Sequence, residues 1–455
     1  MNRRQGKRRT NRAKAIHKAN SLRNQLLDFV YNEARPQLAA ERAIKRQRAL
    51  RTPPNPTRWV DRAISFTSKL ATAASIYLAT KLSLGCGGGD ASTIPSDFPP
   101  AAYATYSGDP SPKNEGEIVF LDGTGSTDAE GPISTYSWSQ VSGPTATLDN
   151  PTSPTPTFIA PRVDGQETLE FMLTVEDSAG QPDSDVVPVT INDTSRIAAT
   201  NLDNSVYIEH MRPDGSDLQT IATGALRPRW LPTDQNTTTF HAFGDIWKIQ
   251  RDGTGLTNLT NTAGVEEEAA FSPDGTKVVY RDDSDRLYIA DFDGSSISNP
   301  VELAANGNEK SWPVFSPVKD GADYWIYYSE NIGGTDKEIC RIRPDGTGRE
   351  VLTSSSASDV EPDVSKDKLS FSSNRSGRFQ IYTSELDGSS PVQVTNILDN
   401  AGHPSFSDTG RKLTYMVYDG PSLLSADLHT INTDGTGDTT ISGGSNRYIS
   451  PDWSD

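Results

Sequence analysis

The run Ala270-Phe271-Ser272-Pro273-Asp274-Gly275, followed by Leu287-Tyr288-Ile289-Ala290 and then Asp293-Gly294, decides how this chain is read. An apolar pair meets a Ser-Pro-Asp-Gly turn. A later segment alternates in character, and an Asp-Gly pair ends it. Alternation with a period of two marks a strand with one buried face. Asp-Gly is a strong hairpin signal, because glycine takes a positive φ without steric cost. The unit reads as antiparallel strands joined by tight turns.

The unit recurs. Strand segments precede Asp-Gly at Val206–Met211 with Asp214-Gly215, Ile246–Ile249 with Asp252-Gly253, Ile339–Ile342 with Asp345-Gly346, Ile381–Thr383 with Asp387-Gly388, and Leu428–Ile431 with Asp434-Gly435. With Asp293-Gly294 there are six pairs, spaced 38, 41, 52, 42 and 47 residues apart. Periods of this size match a four-stranded propeller blade. A second motif accompanies each unit: Arg229-Trp230-Leu231-Pro232, Val314-Phe315-Ser316-Pro317, Pro362-Asp363-Val364-Ser365, Ser405-Phe406-Ser407-Asp408 and Pro451-Asp452-Trp453-Ser454 beside the opening example. These read as the innermost strands with their turns. The first unit, from Ile197, lacks an inner strand, and the chain ends on a spare one, Tyr448–Trp453. The C-terminal strand is therefore expected to complete the first blade and close the ring, removing sheet edges that invite aggregation.

Together with Phe371-Ser372-Ser373-Asn374-Arg375-Ser376-Gly377, these repeats resemble the TolB-like, or PD40, propeller family over residues 195–455. The resemblance implies a six-bladed ring and an interaction role. TolB proteins carry an α/β domain ahead of the propeller. This chain has something else there, so the family's particular partner does not carry over.

Residues 102–193 change pattern. Glu117–Leu121 and Leu169–Val175 alternate like strands, and turn clusters separate them. The size and strand count suit a β-sandwich. Leu121-Asp122-Gly123-Thr124-Gly125-Ser126-Thr127-Asp128, Trp138-Ser139-Gln140-Val141-Ser142-Gly143-Pro144 and Leu173-Thr174-Val175-Glu176-Asp177 resemble a PKD domain, an immunoglobulin-like fold. Trp138 is expected on a central strand, plugging the core. Asp128, Glu130 and Asp177 are clustered carboxylates. Either they cap turns by accepting backbone N–H bonds, or they hold calcium, as comparable loops do in some PKD domains. The expected class is all-β: a PKD sandwich followed by a six-bladed propeller.

Residues 1–86 are different again. Residues 1–62 hold seventeen Lys/Arg against four acidic residues, a net of +13, while the remainder has a net of −30. Leu70–Thr80 is too short and too closely flanked by Lys69 and Lys81 to span a bilayer, but it fits a signal-peptide core. Leu82-Ser83-Leu84-Gly85-Cys86 resembles a lipoprotein lipobox, followed by a glycine tether. The resemblance implies lipid on Cys86, with residues 87–101 as a flexible linker. The alternatives are an ordinary signal peptide or an unprocessed membrane-proximal segment. The basic head reads as an over-long translated start rather than a nucleic-acid arm. The acidic body repels nucleic acid and anionic membranes, leaving a lipid anchor as the only membrane attachment. The other cysteine, Cys340, alternates like a buried strand residue.

An enzyme should leave a constellation of reactive residues, and none is visible. There is no Gly-x-Ser-x-Gly elbow and no zinc motif. His210 and His429 fall on third strands, away from the axis, and His241 and His403 flank inner strands. Contact candidates flank the inner strands as well: Arg227, Arg229, Trp230, Glu309, Lys310, Trp312, Glu361, His403 and Arg447. Tryptophan and arginine are favoured in protein contacts. The expectation is a non-enzymatic envelope or secreted protein, lipid-anchored, periplasmic or surface-exposed. It requires no cofactor, with calcium as the one candidate, and presents a propeller face to a protein or glycan. The alternatives are a carbohydrate-binding adhesin or an oligogalacturonide-lyase-like enzyme working in the channel.

Overall fold

The computed structural model describes residues 97–107, 112–203, 206–334, 336–419, 426–442 and 447–454. Cys86, the basic head, the signal-like segment and most of the linker lie outside the described residues. Among the described residues every regular element is a strand.

The first unit is a sandwich. Strands Thr105–Tyr106, Ile118–Asp122 and Thr157–Ile159 form one sheet. Lys113–Asn114, Pro182–Asn192, Glu167–Glu176 and Thr135–Ser142 form the other, in that order. Alternation along Glu167–Glu176 turns Leu169, Phe171, Leu173 and Val175 inward, all fully buried. Trp138 packs into that core at 3% exposure. Its strand, Thr135–Ser142, lies at the edge of the four-stranded sheet rather than at its centre. The sandwich rests on the propeller through Asp164, whose carboxylate accepts from Thr409 Oγ1 at 2.5 Å and Arg411 Nε at 3.0 Å, and through Arg162 with Asp408 at 2.9 Å.

The rest forms six four-stranded antiparallel sheets. Blades 2 to 6 begin with the inner strands Leu226–Leu231, Glu266–Phe271, Lys310–Phe315, Asp359–Val364 and Asn400–Phe406. Blade 1 takes Tyr448–Trp453 from the C-terminus, paired antiparallel with Ile197–Asn201. Neighbouring inner strands lie against one another all the way round, so the ring is closed.

The Asp-Gly pairs sit between third and fourth strands, and all six glycines have φ between 78° and 87°. Gly215 N donates to Arg212 O, so glycine ends a four-residue turn instead of sitting at its centre. The same bond recurs at Gly253, Gly346, Gly388 and Gly435. In every blade the turn aspartate accepts the amide two residues on, as Asp214 does from Ser216 N at 2.9 Å. Apolar clusters fill the spaces between blades. Cys340 is fully buried in one of them.

Candidate functional site: the mouth of the propeller channel

Each inner strand breaks its pairing register at one equivalent place. The shifts lie between Leu226 and Arg229, Glu267 and Ala270, Ser311 and Val314, Val360 and Asp363, Gly402 and Ser405, and Ile449 and Asp452. At each bulge one non-glycine residue takes a positive φ of 49–58°: Arg227, Glu268, Trp312, Glu361, His403 and Ser450. In five of the six the next residue is proline: Pro228, Pro313, Pro362, Pro404 and Pro451. Proline cannot donate to a sheet ladder, so within sheets it sits at edges and bulges. Six such residues form a ring around the axis. Strained backbone of this kind persists only where its surroundings over-determine it, and it clusters at functional sites.

The freed amides are used. Trp312 N donates to Glu268 Oε2 and His403 N to Glu361 Oε2, both at 2.8 Å. Arg227 N reaches Thr200 Oγ1 at 3.0 Å, and Glu361 N reaches Ser329 Oγ at 3.1 Å. In all four cases the acceptor belongs to the preceding blade. A second layer repeats the arrangement. Trp230 N and Phe406 N each donate at 2.7 Å, to Asp452 Oδ2 and Asp363 Oδ2, and Trp453 N donates to Ser405 Oγ at 3.1 Å. The blades are thus clasped through the side chains that line the channel.

Those side chains also pair with one another. Arg227 Nη1 lies 2.9 Å from Glu267 and 2.7 Å from Glu268, and Arg281 Nε lies 3.1 Å from Glu268. The Arg227 guanidinium stacks 4.6 Å over the Trp312 ring, and Trp312 meets His403 edge-on at 4.4 Å. His403 Nε2 is 3.1 Å from Glu361, and His241 Nε2 is 3.9 Å from Glu267. Burial holds both imidazoles below their ordinary value, and the carboxylates only partly oppose it. His241, with Arg227 and Arg281 nearby, falls to about 4. Both are therefore neutral at pH 7. Below them Arg229 bonds Asp452 at 2.7 Å, and burial lifts Asp363 to about 6 against the pull of Arg229. The free volume at the ring is about 20 Å³, room for about one water molecule. At the level of the ring the side chains leave little free space between them, so contact with anything larger falls on the ring's outer rim.

The expected contact residues divide. Arg227, Trp312, Glu361 and His403 do converge on the ring, on inner strands rather than beside them. Arg229 lies in the second layer, held by Asp452. Arg447 lies where blade 1's inner strand begins, and its guanidinium bonds Asp203 and Leu202 O. Two expectations are corrected. Trp230 is buried at 6% exposure, stacked on His210 at 4.4 Å with its Nε1 donating to Asp452 O, so it is core. Lys310 is 1% exposed, and its ammonium is bound to Asn306 and Asn308 O. His210 and His429 are on third strands, as expected. His241, expected beside an inner strand, joins the site, and Glu267, Glu268 and Arg281 join it unforeseen. The X-Pro pair repeated on five inner strands was the signal that would have found the ring itself.

Asp128, Glu130 and Asp177 were expected either to cap turns or to hold calcium. Among the described residues no group of three or more His, Cys, Asp or Glu is placed to hold a metal ion. Asp177 Oδ1 instead accepts Ala179 N and Gln181 N at 2.8 Å, the work of a turn cap.

Fold and site together define an all-β protein in which a sandwich precedes a closed ring of six sheets. Residues 112–191 match the family model described as K319L-like, PKD domain. A protein TolB homolog of Chlorobium luteolum is 29% identical over 151 residues, 32% of this chain and 32% of that protein. The chain thus spans about a third of that relative's length. Among solved structures, TolB from Acinetobacter baumannii is 15% identical, covering 70% of this chain and 82% of that one at a TM-score of 0.49. A nidogen/laminin complex is 12% identical, covering 57% and 98%, at 0.47. The propeller is TolB-like and the domain before it PKD-like.

Proposed function

We propose that this protein is a non-enzymatic scaffold of the bacterial cell envelope, anchored by lipid on Cys86, that presents the mouth of its propeller channel to a protein partner. The observation that carries this is the ring of six positive-φ residues, which projects unlike side chains from one rigid frame. Rigid scaffolds with variable residues at their ends are the usual ground for binding. Trp312, stacked by Arg227, is the aromatic and guanidinium pairing that dominates contact energies. The similarity to a TolB homolog supports the envelope setting.

The test is capture from envelope extract by the full-length protein, compared with Trp312→Ala and Arg227→Ala. One component should be retained by the parent and leave unchanged in mass. Its affinity should fall by about 1–2 kcal/mol, roughly five- to thirty-fold, in either variant, with the circular dichroism spectrum of the folded protein retained. Equal retention by both variants counts against the mouth.

Two histidine–carboxylate pairs at one mouth give the lyase alternative its single supporting observation. Uronide polymers incubated with the protein should yield no unsaturated product. A product that disappears in His403→Ala or His241→Ala, with the fold intact, establishes the lyase instead. A glycan array separates an adhesin from a protein scaffold.

A further inference from the structure

The outer face of the sandwich's three-stranded sheet is apolar and exposed. Along Ile118–Asp122, Val119 and Leu121 turn inward and are buried, while Ile118 stands 60% exposed and Phe120 50%. Ile118 lies directly across from Ile159, which is 64% exposed, and Phe120 lies across from Thr157. Residues directly opposite on paired strands share a face, so three large apolar side chains meet on the solvent side.

The face holds little charge. Thr105 lies across from Asp122 on the same side, and Asp122 is the one charged residue in the three strands. Its Oδ1 accepts from Thr124 N at 2.9 Å and from Thr124 Oγ1 at 2.6 Å, so it is engaged within its own turn. Alternation back from Thr105 brings Tyr103, also exposed, to the same side. Exposed apolar patches rimmed by polar residues mark contacts with proteins or membranes.

Area and tether choose between those two occupants. Three side chains about half exposed present roughly 300 Å², against the roughly 800 Å² that a stable protein interface takes from each partner. A bilayer needs no matching contour, and apolar side chains sink into the boundary between its headgroups and acyl chains. Cys86 lies eleven residues before Asp97, where the described residues begin. Eleven residues reach at most about 40 Å, so a lipid on Cys86 keeps the sandwich beside the membrane. Tethering makes the second contact intramolecular, and a weak patch then suffices.

We infer that this face lies on a zwitterionic lipid surface, with Ile118, Phe120 and Ile159 inserted and Tyr103 at the level of the headgroups, where tyrosine is favoured. The acidic body disfavours anionic lipid, and the face itself adds no free charge to be repelled. The contact depends on the Cys86 lipid proposed above for its tether, and on the three apolar side chains for its chemistry. It orients the anchored protein by laying the sandwich on the membrane through its three-stranded sheet.

The test places the protein as isolated from cells, with labelled Ile and Val methyls, on phosphatidylcholine nanodiscs holding a spin-labelled lipid. Intact mass first records whether Cys86 carries lipid, so loss of the anchor is read separately from loss of the face. The Ile118 and Ile159 methyl signals should broaden several-fold more than that of Val392, which is exposed on the outer strand of blade 5. Phe120→Ser should weaken the contact roughly tenfold, with the methyl positions of Val119 and Val175 in the core unchanged. Lipidated protein whose Ile118 and Ile159 broaden no more than Val392 overturns the contact and leaves the anchor standing. Protein without lipid should show the same preference once nanodiscs are in large excess, and even broadening there overturns the contact as well. Full broadening in Phe120→Ser does so too, as do signals that move with protein concentration and not with lipid, which mark a second copy on the face.

Discussion

Ending the chain at Arg447 removes the strand Tyr448–Trp453 and reopens the ring. Blade 1 drops to three strands, exposing the edge of Ile197–Asn201. Trp453, 4% exposed among Ile197, Met211 and Leu428, is lost with its Nε1 bond to Ser195 Oγ at 3.0 Å. Tyr448, 2% exposed, is lost with its hydroxyl bond to Glu209 at 2.7 Å. Asp452 goes too, leaving Trp230 N and Arg229 without their acceptor. Deleting one buried large aromatic costs about 3–5 kcal/mol, and orphaning partners of a charged group about 1.5–3 more. These residues share one cluster, so the terms do not simply add. Their joint effect is still comparable to the whole stability of a typical domain, about 5–15 kcal/mol. The truncated chain is expected to lose the propeller's cooperative unfolding transition. The milder Trp453→Ala should lower its midpoint by about 6–20 °C, at roughly 2–4 °C per kcal/mol for a unit of this size. Circular dichroism melts of full-length, truncated and Trp453→Ala proteins provide the assay. A truncated chain that melts within about 2 °C of the parent refutes closure by this strand.

Three further outcomes are expected. Two channel residues impose opposite pH dependences. His241, held down to about 4 from 6.5 by burial, contributes stability present above pH 6.5 and lost as pH falls through 4. Asp363, raised to about 6 from 3.8 by burial, contributes stability present below 3.8 and lost as pH rises through 6. Urea midpoints between pH 4 and 7 should therefore steepen in opposite senses for His241→Gln and Asp363→Asn, and parallel curves exclude the assignment. Gly388→Ala should destabilise more than Gly346→Ala. Both have positive φ, costing about 1 kcal/mol or more, but only the first forces a Cβ to 2.3 Å from a carbonyl. Equal melting shifts mean the seam contacts carry no weight. Cys86→Ser should move the protein from the membrane to the soluble fraction, and an intact mass that retains residues 1–85 defeats lipidation.

Short-range chemistry was readable before any coordinates. Asp-Gly needs only its own backbone freedom and an aspartate oxygen two residues from an amide, so six turns follow directly from six dipeptides. Alternation declares which face of a strand is buried, and this placed Cys340 in a core, while the resemblance to a PKD domain placed Trp138 in another. Counting inner-strand motifs against Asp-Gly pairs was enough to foresee the C-terminal strand completing blade 1, because the surplus at one end matches the deficit at the other. Partnership across blades was not readable. Trp230 and Trp312 both sit on inner strands and look alike in the sequence. The bulge after Arg227 turns Trp230 into the space against His210, whereas Trp312 is itself the bulged residue and lines the axis. Glu268 reads as an ordinary acid, and Glu361 only as a contact candidate, until the ring brings the next blade's amide to them. Local propensity sets strands and turns through contacts a few residues apart. Which side chain reaches the channel or the core depends on blades some forty residues apart being closed into one circle, and that geometry belongs to the tertiary structure alone.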